Sequence, residues 1–284
     1  MHFLSLVPFA FLLLTGCSAL SAFDTAVAKD RASERVATDQ RFADTDRGRL
    51  DVYAPRTNGV GAPLPVIIWL YGGSWNSGDK DGYRFAGRAL AAQGFVTVVP
   101  DYRLVPEVHF PTFLEDNAAA VSWVRANIAN FGGDPNRIVL VGHSAGAYNA
   151  AMLALDPRWL GADRAAIKGF AGLAGPYDFL PLDSPVTRAA FGNSADLPAT
   201  QPIAFVDAGD PPAFLATAGK DSLVPPRHAA RLAERLRAAR VPVQVRAYPN
   251  VGHIGIMTAL ARPFRGKAPV LADVTAFAHS VTAQ

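Results

Sequence analysis

The sequence has a single cysteine, Cys17, among 284 residues. No disulfide can form within the chain, so cysteine usage neither staples the fold nor locates the protein in a redox compartment. Charge is sparse as well. Asp, Glu, Lys and Arg make up 18% of the residues, and the formal net charge is +3. The 27 basic and 24 acidic residues are interspersed. No Lys/Arg cluster of the kind that tracks phosphates is present, so nucleic-acid binding finds no support. Internal repeats and low-complexity tracts are lacking too, and no repeat architecture is expected. The apolar N-terminal run, residues 3–14, is too short to span a bilayer as a helix. What is abundant is hydrophobic residue, 50% of the chain. That predicts a substantial core in one large or two small domains.

The apolar residues fall in a regular order. Pro65 to Tyr71, Gly94 to Val99, Ile138 to Gly142, Ile167 to Leu173, Ala213 to Ala218 and Val241 to Tyr248 are short apolar runs, as for strands buried on both faces. Arg49 to Tyr53 alternates polar and apolar residues and ends before Pro55. Helical stretches are expected between them, at 83–93, 114–131, 145–155 and 227–240, with a last helix at 270–283. Strands and helices alternating in this way predict an α/β fold, a mostly parallel central sheet with helices on both faces. Residues 18–45 are rich in Ala, Ser, Thr, Asp and Arg and read as a tether to a domain at 46–284. The proline-rich stretch 176–212 breaks the rhythm and reads as an insertion above the sheet, a candidate cap.

Gly142-His143-Ser144-Ala145-Gly146 stands between an apolar run and an alanine-rich helical segment. Gly-x-Ser-x-Gly in that context is a nucleophile elbow, which lifts the serine hydroxyl to the top of the sheet. A serine hydroxyl needs a base to take its proton and a third group to orient that base. Asp221 and His253 each follow an apolar run, in the chain order Ser, Asp, His. Strand ends are where ligands bind in open α/β sheets. Asp178, also after a strand, is the competing acid; Asp101 and Asp134 read as turn or ion-pair residues. His109 has no strand before it, His228 and His279 read as solvated helix residues, and His143 reads as a support beside the nucleophile. An oxyanion also needs donors. The N–H of Ala145 is one. Gly72 and Gly73, after the Pro65 to Tyr71 run, leave the backbone free to present more.

With these residues in place, positions 48–284 resemble the α/β-hydrolase esterases of the carboxylesterase and hormone-sensitive-lipase type. Trp69-Leu-Tyr-Gly-Gly-Ser-Trp75 resembles that family's His-Gly-Gly-x-Trp oxyanion loop, with Tyr71 in place of the histidine. Asp101-Tyr-Arg-Leu-Val-Pro-Glu107 resembles its Asp-Tyr-Arg-Leu-Ala-Pro-Glu segment, and Phe131 to Ile138 its turn into the elbow strand. Ala147 replaces a glycine common in the hormone-sensitive-lipase elbow, and Ser74 stands where a third glycine often sits. Ser74 points to the formamidase and carboxylesterase branch, with its Gly-Gly-x-Trp loop. The resemblance implies a serine carboxylic-ester hydrolase acting on a small-molecule, short-acyl ester through an acyl-enzyme. Ser144, Asp221 and His253 are the expected triad, and the N–H groups of Gly73, Ser74 and Ala145 the expected oxyanion donors. No metal and no organic cofactor are implied. Amide hydrolysis of the arylformamidase type and a non-catalytic binding module on a hydrolase scaffold are the alternatives.

The N-terminus resembles a bacterial lipoprotein signal. Residues 3–14 supply its apolar region, and Leu14-Thr-Gly-Cys17 supplies a lipobox whose cysteine is lipidated after cleavage. The segment before it carries no Lys or Arg, only His2 and the α-amine. The resemblance implies a signal at 1–17 and a cell-envelope enzyme held to a membrane by the lipid on Cys17 alone. Ser18 after the cysteine points to the outer membrane or periplasmic face.

Overall fold

The computed structural model describes residues 19–56 and 61–283. The signal-like segment, Cys17 included, lies outside the described residues. Along the chain run α1 (Ala19–Ala26), β1 (Ser33–Arg41), β2 (Arg49–Pro55), β3 (Leu64–Leu70), α2 (Arg84–Ala91), β4 (Val96–Pro100), α3 (Thr112–Asn127), β5 (Gly133–His143) and α4 (Ala145–Leu155). There follow α5 (Pro157–Leu160), β6 (Ile167–Leu173), α6 (Pro185–Phe191), β7 (Ala213–Ala218), α7 (Arg227–Ala238), β8 (Val243–Tyr248), α8 (His253–Thr258) and α9 (Val270–Thr282).

The strands form one sheet in the order β1-β2-β4-β3-β5-β6-β7-β8. From β4 to β8 neighbouring strands are parallel, while β2 runs antiparallel to β4 and β1 antiparallel to β2. Strand side chains alternate between faces. Ile67 and Trp69 join one buried cluster with Phe85 and Leu90 of α2 and Val274 and Phe277 of α9. Val66, Ile68 and Leu70 join a second with Val121 of α3, Leu153 of α4 and Leu232 of α7. Both faces are covered, so β3 must be apolar at nearly every position, as its sequence is.

The parallel strands finish together. Leu70 pairs with Gly142 and Ala218 with Tyr248, so β3, β5, β7 and β8 deliver the residues that follow them to one edge of the sheet. The insertion between β6 and β7 carries α6 and short 3-10 turns at 198–200 and 202–205, and lines a cavity at this edge.

The stretch read as a tether is part of the folded body. Residues 33–41 form β1 at the edge of the sheet, paired with β2 from Ser33 opposite Pro55 to Arg41 opposite Arg49. Two register irregularities break its period, and most of its residues are open to solvent. Its polar, aperiodic sequence is that of a bulged edge strand. Ahead of it, α1 is pinned by the fully buried Asp24. That carboxylate accepts the Phe85 backbone N–H at 2.7 Å and the Arg84 side chain at 2.8 Å, and pairs with Lys29 at 3.2 Å.

Candidate active site

Steric exclusion builds the elbow. A Cβ on Gly142 would lie 2.2 Å from the Gly146 carbonyl oxygen, and one on Gly146 would lie 2.0 Å from that of Leu70. Neither contact is tolerable, so β5 turns into α4 this tightly only with glycine at both places. Ser144 itself sits at φ 53° and ψ −122°, a conformation that costs about 1–3 kcal/mol and persists only where the surroundings enforce it. Its N–H bonds to the Leu173 carbonyl at 2.9 Å, fastening the turn to the end of β6.

The loops after β7 and β8 interlock beside it. Gly219 N–H donates to the Tyr248 carbonyl at 2.8 Å and Lys220 N–H to the Val251 carbonyl at 3.0 Å. This clasp brings together two residues that the sequence separates. The His253 Nδ1–H donates to Asp221 Oδ2 at 2.8 Å, and the Ser144 hydroxyl donates to His253 Nε2 at 2.8 Å. The other Asp221 oxygen accepts the N–H groups of Leu223 and Val224, at 2.8 and 2.9 Å, so a tight turn fixes the carboxylate. Ser144, His253 and Asp221 form one relay.

The other acids and histidines are occupied elsewhere. Asp178 pairs with Arg231 at 2.8 Å. Asp101 is bound by Tyr71 and the Lys80 N–H, and Asp134 pairs with Arg137 and accepts the Asn136 N–H in a turn. His109 bonds through Nδ1 to the Ala189 carbonyl, and exposed His279 to that of Gln93. His228 departs from expectation. It is 5% exposed, not solvated, and its burial holds the imidazole below its usual pKa. Its place in a helix did not anticipate Asp178 and the turn at 202–205 packing against α7.

The loop after β3, expected to hold the oxyanion donors, is shaped by the aromatic residues around it. Gly73 has φ 134°, and Ser74 and Trp75 follow at 54° and 58°. Among the described residues, the N–H groups of Gly73, Ser74 and Ala145 have no hydrogen-bond acceptor. Tyr71 stacks between Tyr83 and Tyr102, with ring centroids 5.2 and 4.7 Å away. Its hydroxyl donates to Asp101 at 2.8 Å and accepts from Arg47 at 2.9 Å. Arg47 also reaches the carbonyls of Tyr102 and Gly78, and the Tyr83 hydroxyl donates to the Gly72 carbonyl at 3.2 Å. Tyr71 therefore braces the loop where the resembled family has a histidine. Arg47 gave no sign of this role, because nothing local marks a residue that reaches across from the start of the domain.

His143 is a second brace. It is 2% exposed, and its Nε2–H donates to the backbone carbonyl of His253 at 2.9 Å. Burial, reinforced by the neighbouring His253, drives its pKa from 6.5 to about 3. The unfolded chain therefore binds this proton more readily than the folded one. The stability contributed is present above about pH 6.5 and is lost as pH falls toward 3. The melting temperature of wild type is expected to fall more steeply over that interval than that of His143→Gln. Parallel pH profiles in differential scanning calorimetry would count against the buried neutral imidazole.

Two cavities meet at Ser144 and His253. One, of about 630 Å³, runs under the 176–212 insertion past Trp75, Phe179 and the Asp178–Arg231 pair. The other, of about 430 Å³, runs past Gly72 and Gly73 to α1 and α8. No cluster of His, Cys, Asp and Glu suited to hold a metal occurs among the described residues.

The BD-FAE family model matches residues 50–236, two thirds of the chain. The chain belongs to the BD-FAE family. Carboxylesterase NlhH of Mycobacterium tuberculosis is 34% identical over 228 residues, which cover 72% of this chain and 70% of NlhH. Esterase LipC of the same species is 32% identical over 237 residues, 75% of this chain. The chain spans only 58% of LipC's length. Esterase B of Lactobacillus rhamnosis superposes with a TM-score of 0.79 over 93% of this chain and 92% of its own, at 20% identity. At that identity the likeness speaks for the fold, which is the α/β-hydrolase fold. This BD-FAE member thus has the α/β-hydrolase fold, and its relatives include proteins named as esterases.

Proposed function

We propose that the chain is a serine carboxylic-ester hydrolase of small, short-acyl esters, working through an acyl-enzyme. The observation that carries this reading is the unbroken relay from the Ser144 hydroxyl through His253 to Asp221, with both bonds at 2.8 Å. His253 Nε2 takes the Ser144 proton as Oγ bonds to the ester carbonyl carbon. Negative charge collects on the former carbonyl oxygen, facing the N–H groups of Ala145, Gly73 and Ser74. The bond to the alcohol oxygen then breaks, and His253 gives the proton to that oxygen. Water, deprotonated by the same imidazole, attacks the acyl carbon; the acid leaves and Ser144 regains its proton. Asp221 keeps the His253 Nδ1 proton in place and stabilises the imidazolium at each step. The test is a fluorophosphonate probe with para-nitrophenyl acetate and butanoate as substrates. Stoichiometric labelling of Ser144 with parallel loss of turnover is expected. Turnover that survives full labelling would sink the reading.

We further propose that Cys17 carries a lipid that holds the enzyme in the cell envelope, on its resemblance to a lipobox cysteine. Cys17→Ser is expected to block processing or release the protein from the membrane fraction. An unchanged distribution and mass would exclude the anchor.

A further inference from the structure

We propose that the apolar cavity between α1 and α8 is the acyl-binding site, and that Leu20 and Phe23 of α1 set the size of the acyl group accepted. The proposal rests on the ester-hydrolase reading of Ser144.

The cavity opens directly from the nucleophile. Its wall includes Leu20 and Phe23 from α1, Tyr83, and Ile254 and Met257 from α8, and its floor is Gly72 to Ser74 with Ser144 and His253. Its volume of about 430 Å³ lies within the range of roughly 300–1,000 Å³ usual for small-molecule sites. Among the described residues, no Asp, Glu, Lys or Arg lines it. The other cavity at Ser144 differs in kind. Asp178, Asp183, Arg227, His228 and Arg231 all line it.

That contrast assigns the two halves of an ester. Once the alcohol has left, the hydrolytic water must reach the acyl carbon beside His253. A cavity lined by ionic groups fills with water, while an apolar one stays dry. Water and a polar alcohol therefore share the Asp178–Arg231 side. The acyl chain, which stays on Ser144 through the intermediate, lies on the α1 side, where leaving water is favourable for it.

The α1 wall is preformed. Asp24 holds the helix to Arg84 and to the Phe85 backbone. Phe23 meets Phe85 edge-on at 5.2 Å and stacks on Phe264 at 5.8 Å. Leu20 lies against Gly82, where a Cβ would come within 3.0 Å of its Cδ2. The opposite wall includes Met257, whose unbranched side chain adapts to irregular shapes. The cavity thus has one rigid wall and one yielding one. Ile254 is 57% exposed and Leu223 is 69% exposed at its rim, which is apolar as well.

Two isomeric esters test the assignment. Methyl hexanoate carries its apolar chain on the acyl side, and pentyl acetate carries it on the alcohol side. Leu20→Trp fills the cavity from α1. Its expected effect is to lower the ratio of kcat/KM for methyl hexanoate to that for pentyl acetate by about tenfold or more. Ala19→Trp, at an exposed position on the same rim, is expected to move the ratio in the same direction even if Leu20→Trp folds poorly. Leu20→Ala is expected to extend activity to longer acyl chains. A ratio that rises would place the alcohol against α1, and a ratio unchanged in both tryptophan variants would remove α1 from the site; either overturns the proposal. Fluorophosphonate labelling of Ser144 separates the two levels. Wild type that labels and hydrolyses both isomers keeps the esterase reading whatever the ratio does. Wild type that does neither loses both readings.

Discussion

Ser144→Ala is expected to lower kcat for short-chain para-nitrophenyl esters by roughly four to six orders of magnitude, with KM little changed. The hydroxyl is the only atom lost, and the acyl-enzyme cannot form without it. The oxyanion N–H groups of Gly73, Ser74 and Ala145 remain, so a residual rate above the uncatalysed one is expected. The fold should survive, because alanine meets the same backbone demand at φ 53° that serine already meets. Circular dichroism matching wild type, with fluorophosphonate labelling abolished, is the full expected result. A variant that is folded and still turns over esters would move the nucleophile elsewhere.

Asp221→Asn is expected to cost roughly 10³–10⁴ in kcat at neutral pH. An asparagine amide can donate toward Nδ1, which favours the tautomer with its proton on Nε2, and that nitrogen can no longer accept from Ser144. The imidazolium formed in the reaction would also lose its facing charge. Asp178→Asn is the matched control. It breaks the pair with Arg231 in the wall of the cavity of about 630 Å³ without touching His253, so its effect is expected on KM and not on kcat. Single-turnover kinetics on both proteins check the contrast. Comparable losses in the two would mean that Asp221 has no special claim to His253.

The site was legible in the sequence wherever a local constraint wrote it there. Gly142 and Gly146 are required by contacts within the turn itself, so the elbow shows as a short pattern. Gly73 marks the loop after β3 because its φ of 134° excludes other residues at little distance from the strand that carries it. The order of Ser144, Asp221 and His253 was visible for a similar reason, since each follows an apolar run that can only be a buried strand. By contrast, α1 and β1 were hidden. An edge strand with bulges has no clean period, and a helix of eight residues held by one buried aspartate resembles a polar linker. The spacing of Leu20, Phe23, Asp24 and Val27 is the helical signal that was there to find.

The sequence by itself determined the strand and helix order, the covered sheet and the tight turn that presents Ser144, because backbone sterics and hydrophobic period act over a few residues. Only the tertiary structure decided the partners. Ser144 lies 109 positions from His253, and His253 lies 32 from Asp221; sheet order and register, not spacing, bring them within 2.8 Å. The same holds for Arg47 on Tyr71, for His143 on the His253 carbonyl and for α1 as a wall of the site. Each is a contact between segments that meet only when the sheet closes, and a linear sequence carries no local trace of it.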